Sequence, residues 1–332
     1  METETIDSGN ILKSKPELGF IINILNGGNP NLLDSFVKAG LKQDEIIRLV
    51  KHHRLDSILY REIEKQKIVL PKELKARLEQ INKRNKMRML KLTSELIRIH
   101  QLFTENNIDY ISLKGPALSQ QIYGDYTVRC SKDLDILVAQ EYIDKSTKLL
   151  ATIGYISKMN NSSIKRLSDK DLVFHNSEGI MLELHYRLFN NKYLLPSPLN
   201  ILSNLEYTEI NNANIHTLPK WFYLLYQIGH SASHNWSRMV WSLDVIRYKK
   251  LLSRGELMQC ENYAKNVGLD GIVEQSKTLT LNSFINFSHE EHYHSIKKFI
   301  FLLSLNSTRT YKWQELLQRF LMPYRIFRKY LF

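Results

Sequence analysis

Asp133 and Asp135 lie inside an otherwise apolar run, RCSKDLDILV, at positions 129–138. On a β-strand, residues two apart share a face. The two carboxylates would stand side by side while Leu134, Ile136 and Val138 turn toward a core. Like charges so close repel, and a cation or a proton must relieve them. Magnesium prefers oxygen ligands and commonly combines a few carboxylates with substrate phosphates, so a further acid nearby is needed. The run IMLELHYRL (180–188) offers Glu183, which shares a strand face with His185 and Arg187 and alternates with Leu182, Leu184, Tyr186 and Leu188. If the two strands are neighbours, Asp133, Asp135 and Glu183 form a three-carboxylate metal site. A solvent-facing polar edge produces the same alternation and stays open as the plainer reading.

The preceding text, YISLKGPALSQQIYGDYTVRC, adds a phosphate element. A strand ends in Lys114-Gly115 and a helix begins at once, with Pro116 at a position proline tolerates. A helix N-terminus presents unpaired N–H groups that favour anions. Gly115 permits close approach to the backbone, and Lys114 adds a mobile positive charge. An ordinary strand-to-helix turn would look the same. Arg129, just before the acidic strand, could pair with phosphate or with a cluster carboxylate.

Farther on, HSASHNWSRMVWSLD places His230, His234, Trp241 and Asp244 within an arc of about 80° if it is one helix. Such a stripe could pack on a catalytic sheet, line a nucleotide or acceptor pocket, or hold zinc. The His-Glu-x-x-His form of zinc proteases is absent.

Three regions position these residues. Residues 1–107 read as helical, with PNLLDSFVKAG opened by proline and closed by glycine, and a long run from Pro71. In that run Leu90, Leu92, Leu96, Ile97, Ile99 and Leu102 approximate helical spacing. Residues 108–210 alternate short strands with helices and include an antiparallel hairpin around NSEG. Residues 211–332 turn helical again from Pro219. The expected fold class is α+β, a small mixed β-sheet between N-terminal and C-terminal helical regions. The basic, aromatic segment YKWQELLQRFLMPYRIFRKYLF could pack on the body, or lie on a membrane surface or on RNA.

The 332 residues carry a formal charge of +12, which suits polyanionic partners or a well-solvated surface. With only two cysteines, Cys130 and Cys260, neither a disulfide framework nor a cysteine-based zinc site is implied. The polar opening METETIDSGN is no secretory signal, and no apolar run is long enough for a transmembrane segment. The expected location is cytoplasmic.

The ordered motifs LKGPAL, YGDYTVRCSKDLDILV, LELHYRL and HSASHNWSRMVWSLDVI resemble the uncharacterised bacterial nucleotidyltransferase family of the DNA polymerase beta-like superfamily. The resemblance covers roughly residues 90–250. Cys130 stands where proline is expected and Tyr186 where tryptophan is common. Lys114-Gly115 replaces the superfamily's Gly-Ser pair. The resemblance implies a nucleotidyltransferase core and transfer of a nucleoside monophosphate from a nucleoside triphosphate, ATP first among them, to an acceptor. That acceptor could be a small molecule, peptide, protein or RNA. It implies Mg²⁺ on Asp133, Asp135 and Glu183, with Glu183 alternatively a base. Lys114, Gly115 and Arg129 would steady the phosphates. His185 would orient Glu183 or touch the nucleotide, unless it is a satisfied structural histidine. The alternative is a catalytically silent module of the same fold that binds nucleic acid or a protein partner.

Overall fold

The computed structural model describes residues 16–38, 40–157, 170–189, 205–234, 236–278 and 281. The basic segment at 311–332 lies outside them. Four helices open the described chain: α1 (Pro16–Leu25), α2 (Pro30–Lys38), α3 (Gln43–His52) and α4 (Asp56–Gln66). Helix α1 buries Leu18, Phe20, Ile21, Ile22, Ile24 and Leu25, as its nearly continuous apolar text requires.

Helix α5 (Lys72–Glu105) runs 34 residues, built from Lys, Leu, Glu, Arg and Met without an internal glycine or proline. Its buried seam is Leu74, Leu78, Ile81, Asn85, Met89, Leu92, Leu96, Ile99 and Phe103, spaced by three or four residues. Leu90, expected on the apolar face, falls off this seam and is 44% exposed. The helix stops at Asn106 and the chain turns through Asn107 at φ 53°, left-handed backbone that asparagine tolerates.

A five-stranded mixed sheet follows, in the order β1-β2-β5-β4-β3. Its strands are β1 (Tyr110–Ser112), β2 (Asp133–Val138), β3 (Ile156–Ser157), β4 (Asp171–His175) and β5 (Met181–His185). Strands β2 and β5 run parallel, and the other neighbours are antiparallel. Helix α6 (Gly115–Tyr123) connects β1 to β2, and α7 (Ile143–Thr152) connects β2 to β3. This is the α+β class with a small mixed sheet and helical flanks.

A second hairpin, β6 (Glu206–Ile210) and β7 (Ala213–Thr217), turns on Asn211 and Asn212 at φ 49° and 64°. Two left-handed residues in a two-residue loop suit the right-handed twist of the strands. The sequence reading assigned no strands there. Gln121 of α6 anchors the hairpin, donating from Nε2 to Thr208 Oγ1 at 2.8 Å. The described chain continues through α8 (Lys220–Ser233), α9 (Met239–Lys249), α10 (Arg254–Asn266) and α11 (Asp270–Thr278).

The sheet separates two cores. One face presents Leu134, Ile136, Val138, Leu182 and Leu184 to Met89, Leu92, Leu96 and Ile99 of α5 and Leu150 of α7. Beyond the other face, α1–α4 and α8–α10 pool their apolar residues with Leu137 in a single core. Among the described residues no helix is long and apolar enough to cross a membrane.

Candidate active site

Parallel pairing sets Asp135 of β2 directly opposite Glu183 of β5, and Leu137 opposite His185. Because the intervening residues all point to the α5 core, Asp133, Asp135, Glu183 and His185 share the opposite face. The neighbourhood required of the two acidic strands is therefore met.

Asp135 is 2% exposed at its side chain, and its Oδ1 receives two groups. Lys114 Nζ lies 2.9 Å away and His185 Nε2 3.2 Å away. Oδ2 is buried without a hydrogen-bond partner. His185 Nε2 also lies 3.4 Å from Glu183 Oε2. Its Nδ1 stands 3.3 Å from Lys170 Nζ and 3.5 Å from Asp171 Oδ2. An ammonium can only donate, so Nδ1 accepts from Lys170 and Nε2 carries the proton toward the carboxylates. Lys170, which also pairs with Asp171 at 2.8 Å, carried no sequence signal, since a single lysine just ahead of a strand has no periodicity.

The charges sort the acids. Burial would push Asp135 up, but Lys114 and His185 override it and hold its carboxyl well below the usual range. Burial likewise opposes the Lys114 ammonium, and Asp135 keeps it raised. The His185 hydrogen bond lowers Glu183. Asp133 is different: burial and the Asp135 charge push it up to about 6. Ser131 Oγ, which donates to the Asp133 backbone carbonyl at 3.0 Å, is 3.5 Å from its Oδ1.

Ligand-capable atoms of Asp135, Glu183 and His185 lie within 4.8 Å of one another. Asp133 stands one strand repeat outside that group, though Asp135 and Glu183 both act on its charge. The orphaned Asp135 Oδ2 is the observation that fits a hard cation, since a buried carboxylate oxygen without a partner is costly. With Nε2 of His185 donating, the available donors are carboxylate oxygens, the set magnesium prefers.

Gly115 opens α6 at φ 64°, a conformation that disfavours any side chain. A Cβ there would meet only Asp133 O at 3.8 Å and Ser131 Oγ at 3.9 Å, so the constraint is conformational and not steric. Leu113, two residues before it, is held twice: its N–H donates to Asp135 O at 2.9 Å, and its carbonyl accepts from Tyr223 Oη.

Arg129 is placed away from the cluster. Its Nε lies 2.8 Å from Asp244 Oδ2, with side chains 5% and 0% exposed. Neither partner anticipated from the sequence, phosphate or a cluster carboxylate, is the one it has. Nor do the four downstream residues form one helical stripe. Helix α8 ends at Ser233, His234 caps it, and α9 begins at Met239. The turn folds His234 onto Trp241 with ring centroids 4.9 Å apart and planes at 30°. His230 lies 4.7 Å from His234 and 5.7 Å from Trp241. Asp244 departs to Arg129. Burial keeps both imidazoles neutral, His230 well below its ordinary value and His234 at about 3. Charge on Lys114 reinforces both shifts.

A family model described as an uncharacterised nucleotidyltransferase matches residues 39–280. No curated protein matches the chain. Among solved structures, the lincomycin-bound crystal structure of the lincosamide antibiotic adenylyltransferase LnuA aligns at 18% identity. That alignment covers 48% of this chain and 97% of the other, with a TM-score of 0.35. The solution structure of the antibiotic-resistance factor ANT(2'')-Ia aligns at 12% identity over 56% of this chain and 93% of its own, with a TM-score of 0.36. An antigenic nucleotidyltransferase-like protein from Paracoccidioides brasiliensis aligns at 15% identity over 55% and 92%, with a TM-score of 0.34.

Proposed function

This chain belongs to the uncharacterised nucleotidyltransferase family, and from that membership we propose that it transfers a nucleoside monophosphate from a nucleoside triphosphate, ATP, to an acceptor. The acceptor oxygen bonds to the α-phosphorus and gives up its proton to solvent water, while the bond from the α-phosphorus to the bridging oxygen breaks with its electron pair leaving on pyrophosphate. The observation that carries the reading is the Asp135–Glu183 register with Asp135 Oδ2 unpartnered. Asp133, Asp135 and Glu183 would hold Mg²⁺, which would supply charge neutralisation at the phosphates.

The chain's own groups do the rest. Lys114 Nζ and the N–H groups opening α6 are adjacent in sequence and flank the acids, so they bind phosphate oxygens. His185 donates toward both Asp135 and Glu183 and is fixed from behind by Lys170, which orients the two carboxylates. Glu183, lowered by that hydrogen bond, suits a ligand better than a base, because a weakened base accepts a proton poorly. Arg129 acts through position: its buried pair with Asp244 fixes the segment that enters β2.

Incubating the protein with each α-labelled triphosphate, Mg²⁺ and a cell extract tests this. Label should move to a product, and Asp135→Ala should stop it. Nucleotide binding that ignores Mg²⁺ and survives Asp133→Asn with Asp135→Asn, together with no label transfer, would favour the silent binding module.

A further inference from the structure

Arg54 lies in the turn between α3 and α4 at φ 55°, left-handed backbone that is uncommon for a residue with a long side chain. Its Nε is buried without a hydrogen-bond partner, and among the described residues its guanidinium makes no ion pair. That φ belongs to the helix C-terminus, where Leu55 N donates to Val50 O at 2.9 Å and Arg54 N to Lys51 O at 3.3 Å, the left-handed cap that commonly closes a helix.

The turn's surroundings are visible. Met239 N donates to His53 Nδ1 at 3.3 Å, Val240 N to His53 O at 3.3 Å, and Arg238 Nη1 to His52 O at 2.8 Å. The turn is thereby clamped to the start of α9, next to the His234–Trp241 stack. On its other side, Asn85 Nδ2 donates to Ser57 Oγ at 2.7 Å and to Thr127 O at 3.2 Å, joining α4 to the segment that leads into β2. Arg54 thus sits where the helical flanks meet the entrance of the acidic strand, and its charge acts on both Asp133 and His234. Lys114, Lys170, Arg54 and Arg238 all bear on His234. That ring is only partly buried, and its nitrogens make no hydrogen bond among the described residues.

We propose that Arg54 and His234 bind the β- and γ-phosphates of the triphosphate, and therefore the pyrophosphate that leaves. The identity of the anion rests on the proposed nucleotidyl transfer. The site itself does not, because inorganic pyrophosphate needs neither nucleobase nor acceptor. Arg129, the arginine that the sequence favoured for phosphate, is spent on Asp244, and Arg54 offers an uncommitted planar fork in its place. A neutral His234 donates one N–H to a phosphate oxygen while its face stays on Trp241.

The test is titration calorimetry of the full chain with inorganic pyrophosphate, with and without Mg²⁺. Arg54→Gly removes the guanidinium and suits the left-handed backbone, so this variant should unfold at or above the parent's temperature. Its pyrophosphate Kd should rise about tenfold or more, the loss expected for a charge-assisted hydrogen bond. His234→Phe keeps the stack and should weaken binding about threefold to tenfold. Arg84→Ala, on the exposed face of α5, should leave the Kd unchanged. Unaltered binding in Arg54→Gly overturns the proposal, and so does an equal loss in Arg84→Ala, which marks diffuse surface charge. If no nucleotide is ever transferred yet these differences stand, the transfer reading falls and the pyrophosphate site remains.

Discussion

Arg129 and Asp244, 115 positions apart, form a buried ion pair at 2.8 Å that ties the entrance of β2 to α9. Burial pushes the Asp244 carboxyl up even with the guanidinium beside it. Removing one partner strands the other in an apolar setting, so Arg129→Ala should cost about 3–5 kcal/mol of stability. Replacing both, Arg129→Met with Asp244→Leu, should recover most of that loss. Urea unfolding of the three variants measures it. A double variant as unstable as the single one would show that the surrounding cavity, and not the charge, dominates.

Asp133 sets a pH dependence. Its folded pKa of about 6 exceeds the ordinary 3.8, so the folded state favours the protonated form. The stability this contributes is fully present below the ordinary value and is lost as pH rises through about 6. In metal-free buffer Asp133→Asn should therefore stabilise the protein at pH 7.5, by about 1 kcal/mol after discounting for the partly exposed carboxyl. The gain should vanish by about pH 4. Thermal melts at the two pH values decide it, and a pH-independent gain would point to packing instead.

Asp135→Asn should do the reverse. Its carboxylate is lowered and holds Lys114, so the substitution leaves a buried ammonium without its counter-ion. A loss of about 2–4 kcal/mol is expected at neutral pH. Added Mg²⁺ should raise the parent's melting temperature at pH 7.5 and leave Asp135→Asn unmoved. A magnesium shift of equal size in both proteins would remove the acidic face as the binding site.

Gly115→Ala isolates a backbone effect. Space is adequate, with the nearest atoms 3.8 and 3.9 Å from the added carbon, but φ is 64°. The cost should be about 1–2 kcal/mol from the left-handed conformation alone. Gly115→Asn should cost less, since asparagine tolerates that region. Equal losses would indicate that the side chain, not φ, is resisted.

Strand identity and the acidic face were legible because period-two alternation in DLDILV and MLELH survives any tertiary arrangement. The turn residues around NSEG likewise announced the β4–β5 hairpin. What the alternation cannot carry is the partner across space. Arg129 reads as a phosphate ligand by proximity to Asp133, yet its carboxylate comes from α9. His230 and Asp244 read as one stripe because nothing local marks the break, where Trp236 adopts φ 54°. The β6–β7 hairpin escaped although Asn211-Asn212 is good turn chemistry, since its mostly polar strands, EYTEI and ANIHT, offer little apolar pattern. Lys170 and Arg54 escaped for another reason: a single cation in a loop has no periodicity to be read.

The core shared by α1–α4 and α8–α10 has a consequence for the nascent chain. Helices α1–α4 pack on one another and on α5 as they are made, but cannot complete their burial until α8–α10, more than a hundred residues behind them, have been made. The turn that carries Arg54 is tied to α9 through His53, and that tie forms only at the late closure. The acidic strands can pair early, but the helical layer that faces them is completed last, so the two halves of this face come together only when the chain through α10 has been made.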